Sequence, residues 1–385
     1  MIDRQTLHEM EPYDLAYAEK HVFLSDALLS LTKYHAANCP AYARMLAANQ
    51  TDLETITAYE QIPPLPVRLF KEFTLKSVPD DVIYRTMTSS GTTGQRVSRI
   101  YLDRETAVLQ SKVLAKIMQS ALGKQRLPMI VVDSSSVMKN PAMFSARGAG
   151  IRGFSMFGRD TIYALDENMK LDADALDAFI QKHAGESIFL FGFTSIIWQH
   201  FYTELKRTGK TLGIQNGVLI HGGGWKKLKD QAVSKPQFKQ ALQSVCGNIR
   251  VLDYYGMVEQ TGTIYLECEH GHLHAPVWSD VLIRRPLDFS LATQGETGLI
   301  EVVSALPASY PGHVLLTEDQ GRVLGEDDCP CGRKGKYFEI LGRIRRAEAR
   351  GSHPRPARGP DPPLAAHGQD SLPAERLQPR SSPFP

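Results

Sequence analysis

A run of hydroxyl side chains and glycines, TSSGTTG, stands at residues 88–94 of the chain. Glycine lets the backbone turn tightly and bring its N–H groups close to an anion, and the Ser and Thr hydroxyls add donors for phosphate oxygens. Strand-like residues before Thr88 and after Ser98 predict a hairpin around the run. A Walker loop is excluded because Gln and Arg, rather than Lys and Ser or Thr, follow the last glycine. The run therefore predicts a hairpin loop over a triphosphate.

A second group of candidate residues, YYGMVE at residues 254–259, follows the strand-like sequence IRVLD. The ring of Tyr255 can stack on a purine, and Gly256 permits a sharp turn. Glu259 offers the hard oxygen ligand that Mg²⁺ prefers. A glycine-rich stretch at residues 222–224 follows the strand-like VLIH in the same manner.

Soft metal ligands form a third group, with CEHGHLH at residues 268–274 and CPCG at residues 329–332. Four Cys and His ligands can close a tetrahedral Zn²⁺ site, and such zinc would be structural because protein fills every position. The alternative is a turn of reduced cysteines beside surface histidines.

The elements that must position these residues alternate between short apolar strands and amphipathic helices. Strands are predicted at residues 129–133, 188–193, 218–221 and 249–252, and helices at 105–122, 195–208 and 227–245. This alternation indicates parallel α/β layers, whereas short strands after Gly256, such as 298–304, indicate an antiparallel or barrel-like section. Residues 13–48 predict two helices separated at Pro40, with Leu24, Leu28 and Leu31 on one face.

Two further patterns receive structural interpretations. The GAGIRG sequence at residues 148–153 fits a dinucleotide motif but lacks a recognisable strand before it and helix after it, so a structural turn is predicted. Asp172, Asp174 and Asp177 lack the spacing of a calcium loop and are predicted to begin a solvated helix.

The composition of the 385 residues bounds the class of protein. A net charge of +2 gives no electrostatic reason to expect nucleic acid or an anionic membrane as partner. No signal peptide and no apolar run of about 18 residues is seen. Five cysteines, an odd number, indicate a reducing compartment, and a cytoplasmic protein without membrane insertion is predicted.

The last stretch, residues 351–385, has nine of the 23 prolines and no Ile, Val, Tyr, Trp, Met or Cys. Such a segment buries too little apolar surface to offset its ordering entropy, so we predict a disordered tail after a domain of residues 1–350. Its Arg/Pro/Ala/Gly/Ser bias is also typical of a frameshifted reading frame.

Taken in order, the motifs resemble the adenylate-forming superfamily of acyl-CoA synthetases, adenylation domains and luciferases. Within it the chain is most similar to the long-chain acyl-protein synthetases of bacterial fatty-acid reductase complexes. The doubled Ser of TSSGTTG, the extended YYGMVEQTG and the run GRIRRAEARG carry the resemblance, which covers roughly residues 10–351. It implies the α/β large domain of an adenylate-forming enzyme, with two α/β lobes, a small distorted β-barrel section and no C-terminal lid domain.

The resemblance also implies an activity and its site. A long-chain fatty acid would be activated by ATP as an acyl-adenylate, for transfer to a protein thiol and delivery to an acyl reductase subunit. The implied catalytic residues are Thr92, Glu259 and Arg343, with Mg²⁺ on Glu259. The implied nucleotide-binding residues are Ser89, Ser90, Gly91, Thr92, Thr93, Gly94, Arg96, Gly222, Gly223, Gly224, Tyr255, Gly256, Asp319 and Arg343. The acyl chain is placed near Phe191, Gly192 and Phe193, and similar cysteine patterns in phenylacetate-CoA-ligase-like relatives select Cys268, His274, Cys329 and Cys331 as zinc ligands.

Two departures from the family pattern keep alternatives open. Val258 stands where many superfamily members have Thr, and Ser352 stands where acyl-protein synthetases have the acceptor Cys. Serine is a far weaker acceptor without an activating base. The alternatives are a ligase for aryl or other carboxylic acids of the same superfamily, and a non-catalytic nucleotide-binding subunit.

Overall fold

The N-terminal region forms two helices that pack onto the rest of the chain. In a computed structural model, which describes residues 6–89, 96–139 and 146–344, helix α1 spans Tyr17–Asn38 and α2 spans Pro40–Ala48. Pro40 occupies the first turn of α2, where the missing N–H removes no helical hydrogen bond, so the predicted break is confirmed. The predicted apolar face of α1 is buried through Leu24, Leu28 and Leu31.

A hairpin and a long helix follow. Strand β1 (Leu65–Pro66) leads to the antiparallel pair β2 (Ile83–Thr88) and β3 (Arg99–Asp103), which confirms the predicted hairpin. Helix α3 (Arg104–Leu122) begins directly after β3, where the Asp103 side chain accepts a hydrogen bond from the Thr106 N–H.

Five parallel strands form one half of the main sheet, in the order β8-β7-β6-β4-β5. They are β4 (Leu127–Ser134), β5 (Gly158–Leu165), β6 (Ile188–Phe193), β7 (Ile214–Gly222) and β8 (Gly247–Tyr255). Parallel sheets are covered on both faces, which explains why β6 is apolar and buried throughout. Successive residues of β6 enter different cores, with Phe189 and Phe191 on one side and Leu190 on the other.

The helices beside these strands include two corrections to the sequence-based predictions. The helices are α4 (Ser136–Lys139), α5 (Ala146–Ser155), α6 (Ala173–Lys182), α7 (Thr194–Ile196), α8 (Thr203–Thr208) and α9 (Lys235–Cys246), with a π-helical stretch at Ile197–Tyr202 joining α7 to α8. The turn predicted at residues 148–153 is wrong, because these glycines lie inside α5. A Cβ at Gly150 would lie 3.0 Å from the Phe193 ring, so a small residue lets α5 approach β6.

The second correction concerns the helix predicted at residues 227–245. It is broken into a 3-10 helix, Lys226–Gln231, and α9, because Ser234 and Gln237 form a capping box that starts a new helix. By contrast, the predicted helix start at Asp172 is confirmed, since its carboxylate caps α6 by accepting from the Ala175 N–H.

The sheet becomes antiparallel beyond β8, as predicted after Gly256. Its strands are β9 (Tyr265–Glu267), β10 (Leu273–His274), β11 (Ser279–Arg284), β12 (Gly298–Ser304), β13 (Val314–Glu326) and β14 (Lys336–Arg343). Their order is β11-β12-β13-β14-β10-β9, β9 pairs with β8, and β1 adds to β13 in parallel. The parallel and antiparallel halves therefore share one continuous sheet. Within the described ranges, every helix is too short or too polar to cross a bilayer.

Candidate functional site

The carboxyl ends of β7 and β8 meet at the glycine-rich stretch. The register pair of His221 with Asp253 is followed by Gly222 and Tyr254, and a Cβ at Gly222 would lie 2.8 Å from the Tyr254 ring. Gly223 and Gly224 have φ angles of 80° and 62°, in the region that favours glycine. In open α/β sheets ligands bind at this edge, so the backbone here is positioned to approach a flat ligand closely.

Three side chains from separate parts of the chain meet beyond the same edge. The Tyr255 hydroxyl donates a 2.8 Å hydrogen bond to Asp319 Oδ2. Asp319 on β13 is the cross-strand partner of Arg343 on β14, whose Nε lies 3.8 Å from Asp319 Oδ1. Arg343 also pairs with Glu318 at 3.2 Å. Burial and the nearby Asp319 raise the pKa of Tyr255 well above 10, so the phenol remains a donor.

Glu259 lies in a short 3-10 helix, Val258–Gln260, at the junction between the two halves of the sheet. Its side chain is buried, and this burial raises its pKa, although neighbouring Ser98, Lys71 and Arg343 act in the opposite direction. A buried carboxylate with few partners is a suitable ligand for a hard cation.

The hairpin that carries the predicted phosphate loop has its described base beside this glutamate. The Ser98 N–H donates to Ser89 Oγ at 2.9 Å, and the Ser89 N–H donates to Ser98 O at 3.1 Å, which closes the base of the hairpin. Ser98 is buried, and its side chain lies close enough to the Glu259 carboxylate to lower the pKa of that group. Arg96 is exposed. The loop residues Ser90, Gly91, Thr92, Thr93 and Gly94 lie outside the described ranges.

Two long-range hydrogen bonds hold the residues that follow Glu259, and the sequence analysis did not predict them. The Gln260 side chain, 2% exposed, donates to Gly312 O at 3.0 Å. The Thr261 hydroxyl donates to Gln110 Oε1 on α3 at 2.7 Å. These partners are 52 and 151 residues apart in the chain, and no local pattern predicts such pairs.

A half-buried charge cluster behind the glycine stretch was also missed. His221 Nδ1 lies 3.9 Å from Asp253 Oδ1, and Lys235 Nζ lies 3.6 Å from Asp253 Oδ2. Glu267 accepts from the Asp253 N–H at 2.9 Å and pairs with Lys239 at 2.9 Å. Burial raises the pKa of Asp253 to about 6 and lowers that of His221 to about 3, so this imidazole is neutral near pH 7. The only sequence signal was an Asp at the end of an apolar strand.

The residues predicted to shape an acyl slot are closely packed. Phe191 stacks on Phe154 with ring centroids 4.2 Å apart, and Phe193 is 6% exposed. A Cβ at Gly192 would lie 2.9 Å from Ile197. In this structure the three residues fill the core beside the carboxyl end of β6.

The four predicted zinc ligands come together from strand β10 and from the segments that follow β9 and β13. The ligand atoms of Cys268, His274, Cys329 and Cys331 all lie within 4.8 Å of one another. The Cys268 and Cys329 sulfurs are 3.9 Å apart, and Cys331 Sγ is 3.4 Å from His274 Nε2. Thiolates on one tetrahedral zinc at about 2.3 Å are about 3.8 Å apart, so the donor set and its spacing fit Zn²⁺.

Comparisons with known proteins agree on the kind of fold and family. The sequence profile described as "Acyl-protein synthetase, LuxE" matches residues 2–354. A long-chain-fatty-acid–luciferin-component ligase of Vibrio harveyi is 24% identical over 352 residues, covering 87% of each chain. The ligase of the same name from Aliivibrio fischeri is 23% identical over 356 residues, covering 87% of this chain and 88% of its own. A crystal structure of 2-hydroxyisobutyryl-CoA ligase with its acyl-adenylate superposes with a TM-score of 0.66 at 16% identity, over 86% of this chain and 69% of that one. The fold is that of adenylate-forming ligases.

Proposed function

Since this chain belongs to the LuxE family of acyl-protein synthetases, we propose that it uses ATP to convert a long-chain fatty acid into an acyl-adenylate. The substrate class is taken from the relatives named fatty-acid ligases. The observation that carries the proposal is the convergence of Glu259 with the base of the 89–98 hairpin. The approach of the hairpin base, at Ser89 and Ser98, to Glu259 supports the assignment of both to one triphosphate.

In the proposed reaction a carboxylate oxygen of the acid bonds to the α-phosphorus of ATP. The bond from that phosphorus to the bridging oxygen breaks, and the electron pair leaves with pyrophosphate. Asp319, oriented by Tyr255 and Arg343, would accept hydrogen bonds from the ribose hydroxyls. Gly222, Gly223 and Gly224 would lie along the adenine. Such positioning accounts for most of the rate gain expected for phosphorus chemistry.

Glu259 would hold Mg²⁺, which supplies charge neutralisation to the phosphates when bound. The hydroxyls of the 88–94 run would donate to the β and γ phosphates, with Arg96 as a nearby cation. Val258 contributes no donor at the position where many relatives have Thr.

The structural metal proposed for this chain is Zn²⁺ in the Cys268, His274, Cys329 and Cys331 cluster. Elemental analysis of protein purified without chelators is expected to give about one zinc per chain. Protein that is free of zinc yet folds and melts normally would contradict this part of the proposal.

The second proposed step transfers the acyl group to a protein thiol for delivery to an acyl reductase subunit. The sequence has no Cys beyond Cys331, and the family resemblance implies that Ser352 stands where acyl-protein synthetases have their acceptor Cys. A radiolabelled fatty acid, ATP and candidate reductase subunit should label the partner through a hydroxylamine-sensitive thioester. If the label stays on this chain alone and resists hydroxylamine, the acyl acceptor is a group of this chain other than a thiol.

ATP–pyrophosphate exchange tests the activation step. Exchange with dodecanoic, tetradecanoic or hexadecanoic acid supports the proposal, whereas exchange with benzoic-type acids alone indicates an aryl-acid ligase. ATP binding without exchange for any acid indicates a non-catalytic subunit. Glu259→Ala should lower exchange by about 10²-fold or more with an unchanged melting temperature. Glu54→Ala removes an exposed carboxylate paired with Lys33 and serves as the control.

A further inference from the structure

The elements around Lys71 hold it close to β13. Strand β1 pairs in parallel with β13, with Leu65 opposite Leu315, and the chain then continues into a 3-10 helix, Val67–Lys71. Strand β13 is the one that carries Asp319. The position of Lys71 is therefore set by the pairing of β1 with β13.

The residue before Lys71 locks the end of this 3-10 helix. Phe70 is 1% exposed and packs edge-on against Tyr310, with ring centroids 6.1 Å apart. Tyr310 is fully buried and lies two residues from Gly312, the residue that contacts the backbone of Glu259. A chain of close contacts thus connects the backbone of Lys71 to the backbone of Glu259.

Lys71 forms no ion pair with a carboxylate among the residues that the structure describes. Arg68 on the same 3-10 helix pairs with Glu72 at 3.0 Å, and Lys76 just beyond pairs with Asp80. Lys71 is half-buried, and in the part of the chain that the structure describes no carboxylate oxygen lies within 4.0 Å of its ammonium. Its positive charge nevertheless acts on the buried carboxylate of Glu259.

A half-buried ammonium that pairs with no carboxylate keeps its donors available for an anion. ATP would bring several negative charges to the same place, since Glu259 is the residue assigned to the metal that bridges the phosphates. Arg343 lies close to the carboxylates of Glu318 and Asp319. Of the two cations near Glu259, Lys71 is therefore the one whose charge is less neutralised.

We propose that Lys71 binds the β and γ phosphates of ATP and stabilises pyrophosphate as it leaves. This inference rests on the proposed function. In the step concerned, the bond between the α-phosphorus and the bridging oxygen breaks, negative charge grows on pyrophosphate, and the Lys71 ammonium donates to it without losing its proton. Charge-assisted hydrogen bonds of this kind are about twice as strong as neutral ones.

The test compares Lys71→Ala and Lys71→Arg with Arg68→Ala, which removes a neighbouring, paired and exposed cation. Lys71→Ala is expected to lower the exchange rate by about 10²-fold and to raise the KM for pyrophosphate. Lys71→Arg should recover part of the loss because it retains the charge. Arg68→Ala should stay within about twofold of the wild type.

Two results separate this inference from the proposed function. If the wild type exchanges with an acid and Lys71→Ala keeps the wild-type rate and pyrophosphate KM, the role of Lys71 is overturned. If the wild type shows no exchange, the proposed function fails, and Lys71 is then tested by calorimetric titration with Mg·ATP. Equal affinity of the wild type and Lys71→Ala in that titration would refute the phosphate contact.

Discussion

Replacing Gly312 with Ala should displace Glu259 without removing any functional group. A Cβ at Gly312 would lie 2.2 Å from the Tyr310 ring and 2.7 Å from the carbonyl oxygen of Glu259. Ordinary carbon contacts are about 3.5–4.0 Å, so one neighbour must move by more than about 1 Å. Tyr310 is fully buried between Phe70 and Gln110 and has little room to move. We therefore expect the turn that carries Glu259 to move.

The expected cost follows from these contacts. Overpacking a closed core typically costs about 1–3 kcal/mol, and a reacting group misplaced by about 1 Å can lose about 10²-fold in rate. Thermal unfolding of Gly312→Ala should therefore begin several degrees lower, and the Mg²⁺ concentration for half-maximal exchange should rise. Scanning calorimetry and exchange across a Mg²⁺ series measure the two effects.

Gly153→Ala is the matched control for this substitution. Gly153 lies in α5, and nothing stands within 4 Å of the position that its Cβ would take. Because Ala is favoured over Gly in a helix by about 1 kcal/mol, this variant should melt at the same or a higher temperature with normal exchange. Gly312→Ala with the melting temperature and Mg²⁺ dependence of the wild type would refute the argument that this glycine positions Glu259.

Three further predictions concern other parts of the site. Cys329→Ser should reduce bound zinc to near zero by elemental analysis and lower the melting temperature, whereas zinc retained at one per chain would contradict the ligand set. Tyr255→Phe removes the hydrogen bond to the Asp319 carboxylate, so it should destabilise the fold by about 1.5–3 kcal/mol and raise the KM for ATP. The pKa of Asp253 is raised from 3.8 to about 6 in the folded state. Between these pH values the folded protein keeps a proton on Asp253 that the unfolded chain has released. The free energy of unfolding therefore falls as pH rises from about 4 to 6. Asp253→Asn should remove that slope and stabilise the protein at pH 8 by at most about 3 kcal/mol, measured by urea unfolding.

The parts of the fold that depend on local pattern were predictable from the sequence. Buried parallel strands are apolar on both faces, so the IFLFGF run of β6 could be recognised without knowing its neighbours. Pro40 marked the break between α1 and α2 because its ring excludes it from a helix interior. The hairpin β2–β3 was indicated by strand-like residues on both sides of a glycine-rich run.

The errors arose where tertiary packing decides the local structure. Helix α5 contains three glycines, which indicate a turn by propensity, yet one of them is needed where the helix meets Phe193. The hydrogen bonds of Gln260 and Gln110 near Glu259 join residues that are distant in sequence. Each of these side chains alone is an ordinary polar residue. Lys71 was likewise not distinguished, because its missing partner is visible only once its neighbours are placed.

The cysteine-rich cluster and the residue that pairs with Asp319 lie at opposite ends of β14. Tyr337, near the start of this strand, stacks on His272 and His274, and Arg343 is its last residue. Eight residues of strand span about 26 Å, so a chelator or an oxidant acting on Cys331 would affect Asp319 and Arg343 through the pairing of β14 with β13. Loss of ATP affinity after storage without reductant would therefore report thiol damage at a distance, and it should be reversible by dithiothreitol and zinc together.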